Sequence, residues 1–255
     1  MANSFLLEIC VESVDHAVAA ERGGANRIEL CSDLSSGGIT PSAGLMKTAR
    51  RHVGIPIHIL IRPRPGDFCY SGDELEIMRA DIVAAKQFGM DGIVVGVLDD
   101  LNRIDMERTK SLVELAHPLP VTFHRAFDVS ADLEASLEDV IRTGAARILT
   151  SGGQPRAMDA LGTLARLGEA ARGRILLMPC GGINSENILR IVEATQAHEV
   201  HSSAGTSNRG VTNAESGLSN GGDADGPSLQ STAFEQKVAD LVSLLGGVAH
   251  DERVR

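Results

Sequence analysis

The chain has no run approaching the roughly 18 consecutive apolar residues of a membrane-spanning helix, which excludes a helical membrane protein. It has no C-x-x-C pair. Its four cysteines, Cys10, Cys31, Cys69 and Cys180, stand far apart, a pattern that is neither a disulfide framework nor a zinc finger. A reducing cytoplasm is the compartment that this usage predicts. No basic stretch precedes the first apolar segment, so residues 1–11 read as a first strand rather than a signal peptide. Positive charge is also in short supply. With 24 Lys and Arg against 34 Asp and Glu the formal charge is −10, which weighs against a broad nucleic-acid or anionic-membrane surface.

What the chain does have is a rhythm. Eight short apolar runs, Phe5–Val11, Arg27–Ser32, Ile55–Pro63, Gly92–Leu98, Pro120–Phe127, Arg147–Gly152, Ile175–Ile183 and Glu199–Ser203, are each followed by a helix-like stretch. They are rich in Val, Ile and Leu, as strands buried on both faces should be. Asp15–Arg22, Glu74–Phe88, Leu133–Thr143 and Glu186–Thr195 space their apolar residues as amphipathic helices do. Eight such units in 255 residues predict an α/β fold, a (β/α)8 TIM barrel spanning residues 1–255 as one domain. From Thr206 to Thr232 the chain is dominated by Ser, Gly, Asn and Asp, which predicts a flexible insertion before a closing helix, Ala233–Leu245.

Alternation along each strand separates side chains that pack on the helices from those that line the barrel. By that rule Glu8 and Cys10, Glu29 and Cys31, His58, Leu60 and Arg62, Thr122, His124 and Ala126, and Glu199, His201 and Ser203 point inward. Branched apolar residues normally fill a barrel, and buried charges are costly unless paired. The polar lining therefore has two readings. Either Glu8 and Glu29 pair with Arg62 or the histidines, or the strand ends form a ligand or catalytic site. In a catalytic site Glu8, Glu29 and His124 are the candidates for moving protons. Arg62, with Ser151, Gly152, Gly181, Gly182 and Ser203 on glycine-rich turns, is a candidate for holding a small phosphate- or carboxylate-bearing anion. Cys10 and Cys31 occupy matching positions on neighbouring strands, with Cα atoms predicted about 6 Å apart from strand spacing and stagger. Two such thiolates would suit Cu(I). No organic cofactor is implied.

The strings Glu8-Ile9-Cys10-Val11, Asn26-Arg27-Ile28-Glu29-Leu30-Cys31-Ser32, Gly37-Gly38-Ile39-Thr40-Pro41-Ser42, Ile61-Arg62-Pro63-Arg64, Phe123-His124-Arg125-Ala126-Phe127-Asp128 and Leu149-Thr150-Ser151-Gly152-Gly153 resemble the CutC family, in order, over about residues 5–205. That resemblance implies a cytoplasmic TIM-barrel protein of copper homeostasis, with Cys10 and Cys31 as Cu(I) ligands and homo-oligomerisation at the family level. The copper ion would be its partner. The alternative is an enzyme on a small anionic metabolite. Pro179-Cys180-Gly181-Gly182 departs from the family's Pro-Gly-Gly-Gly turn and adds a third thiol near the strand ends.

Overall fold

The computed structural model describes residues 5–205 and 229–251. Strands β1 (Leu6–Val11), β2 (Arg27–Leu30), β3 (Ile57–Leu60), β4 (Gly92–Val95), β5 (Val121–Phe123), β6 (Arg147–Thr150), β7 (Leu176–Pro179) and β8 (Glu199–Ser202) are all parallel. They alternate with helices α1 (Val14–Arg22), α2 (Ala43–His52), α3 (Gly72–Gln87), α4 (Met106–Ala116), α5 (Leu133–Thr143), α6 (Leu161–Ala171), α7 (Ile188–Thr195) and α8 (Leu229–Asp251). The sheet runs β7-β6-β5-β4-β3-β2-β1-β8, and β7 and β8 meet at the seam. The result is a nearly closed (β/α)8 barrel, as the rhythm predicts.

Leu7, Ile9 and Val11 of β1, Ile28 and Leu30 of β2, and Ile57 and Ile59 of β3 are fully buried in the core between barrel and helices. The strands are shorter than the apolar runs. Beyond Leu60 and Val95, residues such as Ile61 and Val97 stay buried after the chain has left the ladder, so hydrophobicity outlasts pairing. Helix α3 begins two residues before its predicted start because Ser71 and Glu74 form a reciprocal capping box. Helix α7 begins later than predicted, since Asn187 turns back to bond the Asn184 N–H and the Gly182 carbonyl.

The last helix starts at Leu229, so residues 229–232 are helical and the predicted insertion is shorter. The remainder of that expectation, 206–228, lies outside the described residues. Phe234, Val238, Leu241 and Leu245 form the buried stripe of α8. A Cβ at Gly23 would meet Glu235 O and Val238 Cβ at 2.7 Å, so glycine there admits the last helix against the end of the first. Among the described residues no helix is long and apolar enough to cross a membrane.

Candidate active site

The strand register stacks the inward residues in tiers drawn from alternate strands. The lowest tier carries Arg27, Arg147 and Glu199. Above it come Glu8, His58 and Thr122, then Glu29 and His201, then Cys10, Leu60, His124 and Cys180. Two glycines on β4 and its extension make room for rings. A Cβ at Gly92 would overlap His58, and one at Gly96 would overlap His124.

The lower tiers form an ion cluster. Arg27 donates through Nε to Glu8 and through Nη2 to Glu199 at 2.7 Å, while Arg147 Nε reaches the same Glu199 oxygen at 3.0 Å. His201 Nδ1 lies 2.7 Å from the second oxygen of Glu8. Burial pushes the Glu8 carboxyl up, but the His201 hydrogen bond and the Arg27 charge hold it well below the usual carboxylate range. His201 is raised: burial opposes its charge, and the bond to Glu8 and the nearby Glu29 outweigh that. Glu29 has no such support. Burial, reinforced by repulsion from Glu8 against the pull of His201, raises it to about 7. One Glu29 oxygen has only the Cys10 thiol at 3.9 Å. Its Oε2 is buried without a hydrogen bond, 4.0 Å from His201 Nδ1.

Glu29 and His201 form the floor of a cavity of about 530 Å³ at the C-terminal ends of the strands. His124 is on its wall, buried, with Nδ1 accepting from the Ala126 N–H at 3.1 Å and Nε2 without a partner. Burial, with help from the Arg62 charge, lowers His124 to about 3.

Of the predicted anion groups, Arg62 lines the cavity but bonds the carbonyls of Ser36, Gly38 and Gly66, pinning two βα loops. It pairs with neither Glu8 nor Glu29. The turn after β6 serves the protein's own carboxylate: Asp128 accepts from the N–H groups of Ser151 and Gly153 and from the Thr150 and Ser151 hydroxyls. Gly152 N–H donates to Thr150 Oγ1. Gly181 and Gly182, at φ +89° and +69°, line the cavity, and their N–H groups have no partner among the described residues. Ser203 lines the same rim. Arg27 and Arg147 went unrecognised in the sequence, although each sits two residues before an inward residue on its strand. Parity alone would have found them.

A model of the CutC family matches residues 5–206. The copper homeostasis protein cutC homolog of Homo sapiens is 47% identical over 243 residues, covering 95% of this chain and 88% of that protein. The chain belongs to the CutC family. A CutC family protein of Vibrio campbellii is 49% identical over 202 residues, covering 78% of this chain and 82% of its own length. The crystal structure of a CutC protein from Streptococcus agalactiae superposes with a TM-score of 0.74 at 34% identity, covering 78% of this chain and 98% of that one.

Family membership does not carry the predicted copper site with it. Cys10 and Cys31 do converge, with Sγ atoms 3.6 Å apart. The Cys10 thiol is pushed well up by its hydrogen bond with Cys31 and by burial, with the Glu29 and Glu8 charges adding to this. Cys31 Sγ points at the Val11 carbonyl, 3.6 Å away. A thiolate is the species that binds metal, and this setting opposes it. Among the described residues, the group of three that brings metal-ligand atoms together, all within 4.8 Å, is Glu8, Glu29 and His201. That set contains no cysteine, and its oxygen and nitrogen donors are unlike those Cu(I) selects. The expectation of a Cu(I)-binding protein acting through barrel cysteines is therefore corrected. The set is consistent with some metal ion, though not specifically Cu(I), and Arg27 and His201 also bond Glu8. Cys180 is buried, and burial beside Asp128 raises its thiol too.

Proposed function

We propose that this CutC-family chain is an enzyme that moves a proton on a small anionic metabolite bound at the barrel mouth. The observation that carries the reading is Glu29. It is a buried carboxyl with one open oxygen, on the floor of a cavity large enough for a metabolite, poised near neutrality by burial and by the ionised Glu8 beneath it. Glu8 itself is locked between Arg27 and His201, so its part is to set the charge that Glu29 feels. The anion is held by the open N–H groups of Gly181 and Gly182, with Ser203 alongside. Arg62 contributes its charge, and the Ser151–Gly153 turn, braced by Asp128, backs the rim.

The test is a thermal-shift panel of phosphate- and carboxylate-bearing metabolites against wild type and Glu29→Gln. Anionic metabolites should raise the melting temperature of both proteins through binding to the folded state. Turnover of the stabilising compound should be confined to the wild type. A panel whose anionic members stabilise no better than chloride would contradict the reading.

A further inference from the structure

Two of the unpartnered polar atoms among the cavity's lining residues, Glu29 Oε2 and His124 Nε2, are of complementary kinds. A backbone N–H can only donate, so the bond from Ala126 N to His124 Nδ1 leaves that nitrogen unprotonated and places the ring proton on Nε2. The ring is clamped in this pose: Gly96 gives it room on one side, and Phe68 packs against it, tilted by 53°, at 5.0 Å between centroids. His124 is 5% exposed and its Nε2 meets no acceptor, so a buried N–H donor is left unmet in the cavity wall. Leaving such a donor unmet costs stability that a ligand oxygen would recover. Glu29, also 5% exposed, lines the same cavity from β2, three strands from His124, and its buried Oε2 has no partner.

We infer that the reaction at the mouth is proton transfer at the carbon next to a carbonyl, with Glu29 Oε2 as the base and the neutral His124 Nε2–H as hydrogen-bond donor to the carbonyl oxygen. This rests on the proposed reading of the mouth as an enzyme site and specifies its substrate: a small aldehyde or ketone bearing a phosphate or carboxylate. In the forward step the C–H bond breaks and its proton passes to Glu29. The electron pair becomes the carbon–carbon double bond, and the carbonyl π pair moves onto oxygen, where His124 meets it. The reverse step returns the proton to carbon. No oxidant, reductant or second substrate is needed. A fixed donor aimed at a developing oxyanion is the arrangement that lowers such a barrier, and an imidazole held neutral donates without surrendering its proton. Burial, with the Arg62 charge adding to it, keeps the ring from taking a second proton.

The experiment is hydrogen exchange in D₂O with dihydroxyacetone phosphate, glyceraldehyde 3-phosphate, ribulose 5-phosphate, pyruvate and 2-oxoglutarate, read by mass spectrometry. Wild type should place deuterium on carbon in at least one of them. Glu29→Gln should slow this at least 1,000-fold, and His124→Phe by about 100- to 1,000-fold. Should a variant not fold, wild type suffices: acetohydroxamate, an enolate mimic, should move the His124 Nε2–H proton resonance downfield. No deuterium in any of the five, or exchange undiminished in a folded Glu29→Gln, overturns the inference. Stabilisation by anionic members of the panel without exchange would overturn it while leaving the proposed anion-binding enzyme standing. Absence of both would remove the two together.

Discussion

His201 Nδ1 sits 2.7 Å from one oxygen of Glu8 while Arg27 holds the other, so a fully buried carboxylate has an imidazole on one side and a guanidinium on the other. Arg27 is also shared with Glu199. Glu29, one tier higher, is left with a weak thiol contact and a 4.0 Å ion pair. The asymmetry between two glutamates on adjacent strands separates a structural anion from a group that can exchange a proton.

That asymmetry has a stability signature. The folded Glu29 titrates at about 7, whereas an unfolded Glu titrates near 4.3. Between those values the unfolded chain releases a proton that the folded chain keeps, so Glu29 destabilises the fold increasingly up to about pH 7 and constantly above it. Glu29→Gln should therefore be more stable than wild type at pH 8 by about 3 kcal/mol and equal to it near pH 4. Urea unfolding at the two pH values checks this, and a variant destabilised at pH 8 would contradict it.

His58 has the opposite sign. Burial lowers it to about 4, against the pull of Glu8, so it is neutral in the fold at neutral pH. Its contribution is complete above the unfolded value near 6.5 and is lost as pH falls through about 4, because the unfolded ring takes up a proton first. Over pH 6.5 to 4 this loss opposes the gain from protonating Glu29, so His58→Gln should gain about 3 kcal/mol more stability than wild type on going from pH 6.5 to pH 4. The urea midpoint, followed with pH, is the measurement.

Arg27→Met keeps much of the side chain's volume and removes the charge shared by Glu8 and Glu199. Breaking a buried ion pair from one side leaves an uncompensated charge, so the expected loss is about 3–5 kcal/mol. Arg64→Met, which releases Glu74 and Asp67 on a partly exposed loop, should cost no more than about 1 kcal/mol. Denaturation of the two variants side by side tests whether the barrel interior, rather than the rim, carries the electrostatic stability.

Gly96→Ala would drive a methyl group into the His124 ring and to within 2.9 Å of the Ala126 Cβ. Overpacking of this kind costs about 1–3 kcal/mol. The ring would also leave its bond to the Ala126 N–H, so loss of turnover should exceed what unfolding explains. Activity at a temperature where the variant remains folded distinguishes the two effects.

Much of this was legible in the sequence because parallel strands buried on both faces read as apolar runs, and α5 falls at the predicted Leu133–Thr143. Alternation put Glu8, Cys10, Glu29, Cys31, His58 and His124 inside the barrel, since the period-two rule needs no tertiary knowledge. It did not assign partners. Arg27 lies beside Glu8 through strand pairing, and Asp128 fills the Ser151 turn from 23 residues away, which no local pattern records. The copper expectation went astray at the same point. Spacing brought Cys10 and Cys31 together, but whether Cys10 is a thiolate depends on its hydrogen bond with Cys31, on burial and on the charges nearby.

The most direct test of the account is the ¹³C titration of the Glu29 side-chain carboxyl, assigned by its disappearance in Glu29→Gln. A midpoint near pH 7, falling in Glu8→Gln as the neighbouring negative charge is removed, is the predicted result. A midpoint below pH 5 would mean that Glu29 is an ordinary ionised carboxylate, and the barrel mouth would lose its acid–base group.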